Sequence, residues 1–384
     1  VHYAEREALL LAPYAMHAKD SDGRCTAEPD HPYRSPYQRD RDRITHSAAY
    51  RRLSHKTQVF TGDLAMWGTG GDYHRTRLTH TLEVASVART VARTLRLNED
   101  LVEALALAHD VGHPPFGHAG EELLNERLAT CGGFNHNRQA LRIFERLERR
   151  YADREGLNLT AEVLQGQRER GTKPARTAEQ LAPQRDQQGD TPLLEAQVVD
   201  AADSIAYDAH DADDALEIGL LTLDDLEQSW LWREAVARVR VEFAALPEQD
   251  LRRAAIRELI DRQVGDLVTQ SQKRIEGSGI DSVRAVRATP TLIQHTEELA
   301  EGKLELESLL FRRVYRHPEV LAHRVEARAA LTAAFDRCAE EVERLPPPLP
   351  QIAREESPER AVADHISSLT DRAVLESWRR ATAG

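Results

Sequence analysis

The segment Leu101-Val-Glu-Ala-Leu-Ala-Leu-Ala-His-Asp-Val111 is apolar almost all the way round a helix, and it closes on a histidine and an aspartate. A helix of that kind has no solvent face, so the rest of the chain must wrap it. Gly112, Pro114 and Pro115 follow at once and stop it. Elsewhere helical periodicity dominates and alternating strand patterns are scarce. The sequence therefore predicts an all-α protein, an N-terminal helical bundle with a C-terminal helical extension packed on it.

Residues 1–38 are rich in Pro, Tyr and Asp and read as an irregular arm. Residues 39–216 read as the helical core and 217–384 as the C-terminal helical region. Within the core, helices are expected over about 39–60, 76–97, 99–111, 118–128 and 193–216. Residues 62–71, with Gly68-Thr-Gly-Gly71, read as a loop. Residues 165–192 have few apolar side chains and no period, and read as a surface loop or partly disordered insertion. Beyond them, amphipathic helices break near Pro247, Gly277, Gly279, Pro290 and the Pro-rich stretch 346–350.

Hydrophobic residues are 41% of the 384 and charged residues 30%, the composition of a soluble globular protein. No stretch approaches the ~18 consecutive apolar residues of a membrane span. Val1-His-Tyr-Ala-Glu-Arg-Glu7 lacks the apolar core of a signal peptide, so the expected compartment is the cytoplasm. Cys25, Cys131 and Cys338 are too few and too scattered for a disulfide framework or a thiolate zinc site. Any metal must then be held by His and carboxylates. A net charge of −13 argues against a general nucleic-acid coat. Locally the balance reverses: between His31 and Phe60, seven bases (Arg34, Arg39, Arg41, Arg43, Arg51, Arg52, Lys56) face only Asp40 and Asp42. That island is either a solvated, ion-paired helix or a phosphate-binding surface.

The chemistry gathers around the apolar helix. Asp110 at its C-terminus opposes the helix dipole, and its burial without a partner is expensive. A cation there answers both problems, with His109 as a neutral ligand beside it; an Asp110–Arg77 ion pair with a structural histidine is the bland alternative. On the preceding helix, Arg77, His80, Val84, Val87 and Val91 share one face, which turns Arg77 and His80 inward. After the Gly-Pro-Pro turn, His118 and Glu121 lie three apart at a helix start, the arrangement of an acid–base pair. His136 adds another donor, and six of the sixteen histidines fall between His74 and His136. Far downstream, Asp203, Tyr207 and Asp211 repeat at four-residue spacing on an otherwise apolar helix, either a solvated stripe or a ligand face.

The set His80…His109-Asp110…Asp203 resembles the H…HD…D signature of the HD-domain phosphohydrolases. The block His109-Asp-Val-Gly-His-Pro-Pro-Phe-Gly-His-Ala-Gly-Glu121 is similar to one branch, the deoxyguanosine triphosphate triphosphohydrolases and their bacterial dGTPase-like members. Tyr50-Arg-Arg-Leu-Ser-His-Lys-Thr-Gln-Val-Phe60, Arg77-Leu-Thr-His80, Phe134-Asn-His-Asn137, Ala202-Asp-Ser-Ile-Ala-Tyr207, Phe311-Arg-Arg-Val-Tyr-Arg-His-Pro318 and Asp364-His-Ile-Ser-Ser-Leu-Thr-Asp371 extend the likeness in order along the chain.

The resemblance implies an HD-domain helical bundle in which His80, His109, Asp110 and Asp203 bind one divalent metal per chain (Mn, Mg, Fe, Ni or Co). It implies that His118 and Glu121 form the catalytic pair, with His136 nearby. Arg77 and Tyr207 would contact the triphosphate, Gln58 the sugar 3′-hydroxyl, and Asp211 and Tyr315 the surroundings of the sugar, with Asp371 closing that wall. The implied reaction converts a dNTP to deoxynucleoside and inorganic triphosphate. The partners implied are the dNTP substrate, an allosteric dNTP, single-stranded DNA and further copies of the chain in a tetramer or hexamer, with no membrane. Two departures bear on phosphate affinity and substrate choice: Ser204 stands where relatives often carry lysine, and the final motif usually reads nearer to Asp-Tyr-Ile-Ala-Gly-Met-Thr-Asp. Alternative readings are another HD phosphohydrolase (a 5′-nucleotidase or a phosphodiesterase) and a regulatory nucleotide- or DNA-binding protein with little catalysis.

Overall fold

A computed structural model describes residues 2–58, 75–172 and 191–382. The fold is all-α: among the described residues there is no strand, only the isolated bridges Arg24–Thr160 and Thr57–Thr76. The helices run α1 (Tyr3–Leu10), α2 (Pro36–Thr45), α3 (Ala48–Arg52), α4 (Arg77–Thr94), α5 (Glu99–Ala108), α6 (Gly117–Arg127), α7 (His136–Arg142), α8 (Ala161–Thr172) and α9 (Leu194–Glu217). They continue with α10 (Leu223–Leu226), α11 (Trp230–Glu242), α12 (Glu248–Ser278), α13 (Val283–Arg287), α14 (Glu297–Leu310), α15 (Pro318–Glu340), α16 (Leu349–Glu355), α17 (Pro358–Ser367) and α18 (Asp371–Thr382).

Local chemistry sets the helix starts that matter for the site. The Thr76 hydroxyl accepts from the Thr79 N–H and opens α4, and the Asn98 side chain accepts from the Leu101 N–H and opens α5. The apolar α5 is central, as its composition requires: Leu101, Val102, Ala104, Ala106 and Ala108 are all fully buried. It packs with α4 and α9, whose Val84, Ala88, Val91, Val198 and Ile205 complete that core. A second apolar cluster joins α11, α12 and α14 around Trp232, Leu259 and Leu306. In a third, Phe116, Leu123 and Leu124 of the turn after α5 and of α6 pack against Leu331 and Phe335 of α15 and Ile366 of α17. The end of the chain thus helps to build the wall behind the His-Pro-Pro turn.

Three expectations are corrected. The helix expected over 39–60 is two helices and a 3-10 turn (Leu53–His55), because the Ser47 hydroxyl accepts from the Tyr50 N–H and starts α3 afresh; Val59 and Phe60 lie outside the described residues. The stretch read as an irregular arm contains α1, capped by the His2 side chain. Residues 165–172 belong to α8 rather than to a loop, while 173–190, like the loop expected over 62–71, lie outside the described residues. The reason for the miss at α8 is physical. Val163 and Leu164 at its start join the core, but its later turns are held by polar groups, Gln167 donating to Asn137 at 2.8 Å and Arg287 of α13 donating to Glu169 at 2.7 Å. Polar anchors leave no apolar period to read over 165–172.

Candidate active site

Three elements converge where α5 ends. The first turn of α4 supplies Arg77 and His80, the end of α5 supplies His109 and Asp110, and the middle of α9 supplies Asp203. One ligand atom from each of His80, His109 and Asp110 lies within 4.8 Å of the others. Asp203 Oδ1 is 3.1 Å from His80 Nε2 and 3.7 Å from His109 Nε2. All but Asp203 are buried.

Hydrogen bonds behind the rings decide which nitrogens face the cluster. His109 Nδ1 is 2.6 Å from the Ala106 carbonyl, which can only accept, so Nδ1 carries the proton and the buried Nε2 is left without a partner. His80 is oriented by a residue not singled out in the sequence. His210 Nε2 lies 2.6 Å from Glu83, and His210 Nδ1 lies 3.3 Å from His80 Nδ1. Burial holds the His210 imidazole below its ordinary range, so it is neutral; donating to Glu83 from Nε2, it accepts from His80 Nδ1. The His80 Nε2 lone pair then faces Asp203 Oδ1 at 3.1 Å. Burial by itself would raise the Asp203 carboxyl, but the charged groups around it, Arg170 among them, hold it far below the usual range. Two acceptors facing each other at that distance, beside the orphaned His109 Nε2, fit a divalent cation among them.

Both carboxylates are also gripped from outside. Arg77 donates to Asp110 Oδ2 at 3.0 Å, and Arg170 donates to Asp203 Oδ2 at 2.7 Å. His113 Nδ1 lies 3.0 Å from Asp110 Oδ1. Burial would raise Asp110, yet the Arg77 guanidinium and the His113 hydrogen bond hold it well below the carboxylate range. The ion pair weighed as a bland alternative at Asp110 therefore exists alongside the cluster rather than in place of it.

Next to this cluster runs a second string of titratable groups. The His113 ring stacks on His136, centroids 3.8 Å apart. His136 donates to Glu121 from its backbone N–H at 2.9 Å, and its Nδ1 lies 2.9 Å from the same carboxylate. His118 Nδ1 is 3.6 Å from Glu121, and its side chain is 64% exposed. The pair read as His118–Glu121 is thus a trio in which Glu121 is bound more closely to His136, and His118 stands at the open side. Against burial, which would raise it, His118 and His136 hold Glu121 far below its ordinary range, so it is an anion.

The turn between the two strings is shaped by its backbone. A Cβ on Gly112 would overlap the His136 carbonyl, and Gly117 sits at φ +54° with a Cβ position 2.7 Å from the Arg77 guanidinium. Phe116 shares the left-handed conformation at φ +59°. Its N–H donates to Asp371 at 2.9 Å, while the Thr57 N–H and hydroxyl donate to the other oxygen of Asp371 at 2.9 and 2.7 Å. Asp371, expected on a substrate wall, has both oxygens engaged in holding the turn and the segment before Gln58. Lys56 works beside it, donating to the His113 and Ser367 carbonyls at 2.6 and 2.7 Å.

On α9, Tyr207 stacks with Tyr315, centroids 6.2 Å apart. Asp211 is fully buried, and no hydrogen bond of ordinary geometry reaches either of its oxygens; the buried Gln58 Oε1 and Tyr315 hydroxyl likewise lack partners. Burial first, then Asp214 and Asp208, push the Asp211 carboxyl well above its usual range, with Tyr207 and Arg75 opposing. The basic island falls out differently from a phosphate surface. Arg34 pairs with Asp42, Arg39 and Arg43 with Glu28, and Arg41 with Asp42 and Glu103. Of its members, Lys56 reaches the turn.

His113, His210 and Arg170 were absent from the candidate residues. His113 and His210 could have been marked by their motifs, one inside the Gly-His-Pro-Pro block and the other seven residues after Asp203. Arg170 carried no such signal.

Residues 77–208 match the HD domain family and residues 293–380 the phosphohydrolase-associated domain. The chain is 42% identical over 371 residues to a deoxyguanosinetriphosphate triphosphohydrolase-like protein of Ralstonia nicotianae, covering 96% of this chain and 94% of that one. It is 42% identical over 375 residues to a protein of the same description from Thiobacillus denitrificans, covering 96% of each. A third, from Cereibacter sphaeroides, is 41% identical over 386 residues, covering 97% of this chain and 99% of its own. With the converging His and Asp side chains and near full-length likeness, the chain belongs to the deoxyguanosinetriphosphate triphosphohydrolase-like family of HD-domain phosphohydrolases.

Proposed function

We propose that this hydrolase is a metal-dependent dNTP triphosphohydrolase, which splits a deoxynucleoside triphosphate into deoxynucleoside and inorganic triphosphate. His80, His109, Asp110 and Asp203 would hold one divalent cation. A cation so held acts as a Lewis acid on a phosphoryl oxygen. The observation that carries this reading is the opposition of His80 Nε2 and Asp203 Oδ1 at 3.1 Å beside the unpartnered His109 Nε2. The descriptions of the relatives support the substrate class.

The remaining roles follow from the chain's own groups. As water adds to the α-phosphorus, releasing its proton to solvent, and the bond to the 5′-oxygen breaks, His118, on the open side and beside an anionic Glu121, delivers a proton to that departing oxygen. Glu121 and His136 fix the local charge, and His113 links that string to Asp110. Arg77 binds Asp110 through one terminal nitrogen and keeps a buried, unpartnered Nε; its remaining donors suit phosphate oxygens. Gln58 and Tyr315 carry buried polar atoms without partners, and Asp211 has only Tyr207 beside it, groups that a sugar hydroxyl edge would satisfy. Tyr207 lies between the cluster and Asp211 on the same helix.

The test is direct. Incubation of the full chain with Mn²⁺ and a dNTP should release inorganic triphosphate and deoxynucleoside. Monophosphate with pyrophosphate, or binding without turnover, would replace this reading with one of the other two.

A further inference from the structure

Asp110 and Asp203 are held in the same way from opposite sides. One oxygen of each faces the histidines, and the other is bound by an arginine: Arg77 at Asp110 Oδ2, 3.0 Å, and Arg170 at Asp203 Oδ2, 2.7 Å. Arg170 also donates from its other terminal nitrogen to Asp200. Asp200 and Asp203 are three apart on α9 and share a face, so the guanidinium fork spans two carboxylates of one helix. A lysine could offer only a point charge there. Arg170 itself comes from a firmly held helix, since its neighbours Glu169 and Gln165 accept from Arg287, and Gln167 donates to Asn137. Its side chain is 18% exposed.

Asp203 needs such a constraint. It is the least buried of the four clustered side chains, at 27% exposure, and it sits mid-helix where its carboxylate could turn toward solvent. A second cation close to a bound divalent ion would ordinarily oppose it, but Asp200 and Asp203 together outweigh the one positive charge of Arg170.

We propose that Arg170 is a positioning residue that holds Asp203 Oδ2 through the Asp200–Arg170–Asp203 bridge, so that Asp203 presents a single oxygen, Oδ1, to the cation. This rests on the reading of His80, His109, Asp110 and Asp203 as a cation cage. It makes α8, a helix outside the four-residue set, part of what defines that cage.

The experiment titrates Mn²⁺ alone into the metal-stripped full chain by calorimetry, with circular dichroism as the check on folding. Wild type, Arg170→Gln, Arg170→Lys, Asp200→Asn and His80→Ala are compared. Arg170→Gln is expected to weaken Mn²⁺ binding by about tenfold or more, the usual effect of removing a partner behind a metal ligand. Arg170→Lys should fall between that variant and wild type, and Asp200→Asn should weaken binding by less. A merely structural arginine would lower the melting temperature and leave the affinity of folded molecules unchanged. Wild-type affinity in folded Arg170→Gln overturns the proposal, and so does tighter binding, which would make charge repulsion the main effect of Arg170. If Arg170→Gln does not fold, Arg170→Lys and Asp200→Asn decide: weakening in both supports the bridge, and wild-type affinity in both removes it. Failure of the cage itself reads differently, as a wild-type chain that takes up no Mn²⁺ or a His80→Ala variant that binds as wild type does.

Discussion

His210 stands behind His80 with the two Nδ1 atoms 3.3 Å apart, and its own Nε2 rests 2.6 Å from Glu83. Glu83 and His210 thus fix the His80 tautomer through Nδ1, the nitrogen turned away from the facing Asp203. His210→Ala should therefore leave the cluster present but poorly aimed. We expect metal content to fall by about tenfold at fixed free Mn²⁺, the scale of a lost partner behind a ligand. Elemental analysis after dialysis against buffered Mn²⁺ checks it, and unchanged occupancy would show that His80 needs no relay.

Asp371 makes the corresponding prediction at the turn. Asp371→Ala leaves the Phe116 N–H, Thr57 N–H and Thr57 hydroxyl without their acceptor. Unmet buried donors of this kind cost about 1–3 kcal/mol each, and relaxation offsets part of that. The variant should melt several degrees lower and show a raised KM through Gln58, yet retain its metal, because no cluster residue touches Asp371. Loss of metal in step with loss of stability would count against this division of labour.

Lys56 carries a dependence on pH. Burial first, with Arg77 and Arg52 adding and Asp371 opposing, brings its ammonium from 10.5 down to about 7. Its folded value is depressed below the unfolded one, so between about pH 7 and about pH 10 the unfolded chain binds more protons. Stability from this group is full above the unfolded value and is lost as pH falls through the folded one. A neutral amine has two N–H groups, matching the two carbonyls of His113 and Ser367. The difference in melting temperature between wild type and Lys56→Met should grow in favour of wild type from pH 6.5 to about 9.5. A difference that stays flat would mean that Lys56 is charged when folded.

What could be read in advance, and what could not, divides by the kind of contact. His80, His109, Asp110 and Asp203 were marked together by the likeness to an H…HD…D signature; for His109 and Asp110 the apolar helix they close added a physical reason, since a buried unpaired polar group is costly. The starts of α4 and α5 were legible from Thr76 and Asn98, which cap them. Arg170 was not, since the turns of α8 around it are anchored by polar side chains. Neither was the position of Asp371, whose partner Thr57 is 314 residues away. The nearness of Glu121 to His136 rather than His118 depends on how α7 folds back after the Gly132-Gly133 turn, and no local period encodes that.

Asp211 should act as a neutral group. Its carboxyl is raised well above the carboxylate range by burial and by Asp214 and Asp208. Asn is then a close mimic of the operative form and Ala is not. Asp211→Asn should keep kcat/KM for a dNTP within about tenfold of wild type, while Asp211→Ala should lose about 10²-fold or more, as sites built to bond a substrate polar group do when the match is broken. Equal, severe losses in both variants would mean that the charged carboxylate is the working species.

The last prediction separates proton transfer from both metal binding and folding, and the exposure of His118 makes the separation clean. At 64% exposed, and with Glu121 at 3.6 Å as its one ionic neighbour among the described residues, His118 supports little of the fold. His136 is different: it stacks on His113 and binds Glu121 twice, so its removal disturbs the string that leads to Asp110. His118→Ala should therefore melt within about 1–2 °C of wild type, as surface changes usually do. It should keep its metal and its dNTP affinity, and lose turnover by about 10²–10⁴, the range for a removed acid–base group. His136→Ala should lose both turnover and stability. Glu121→Gln should fall closer to His136→Ala than to His118→Ala, because Glu121 is bound to His136 more tightly. Melting temperature, metal content, dNTP affinity and kcat measured on the same preparations resolve the pattern. A His118→Ala enzyme with wild-type turnover would move the proton donor to His136, and one with lowered stability but normal kcat would make His118 a cap on α6.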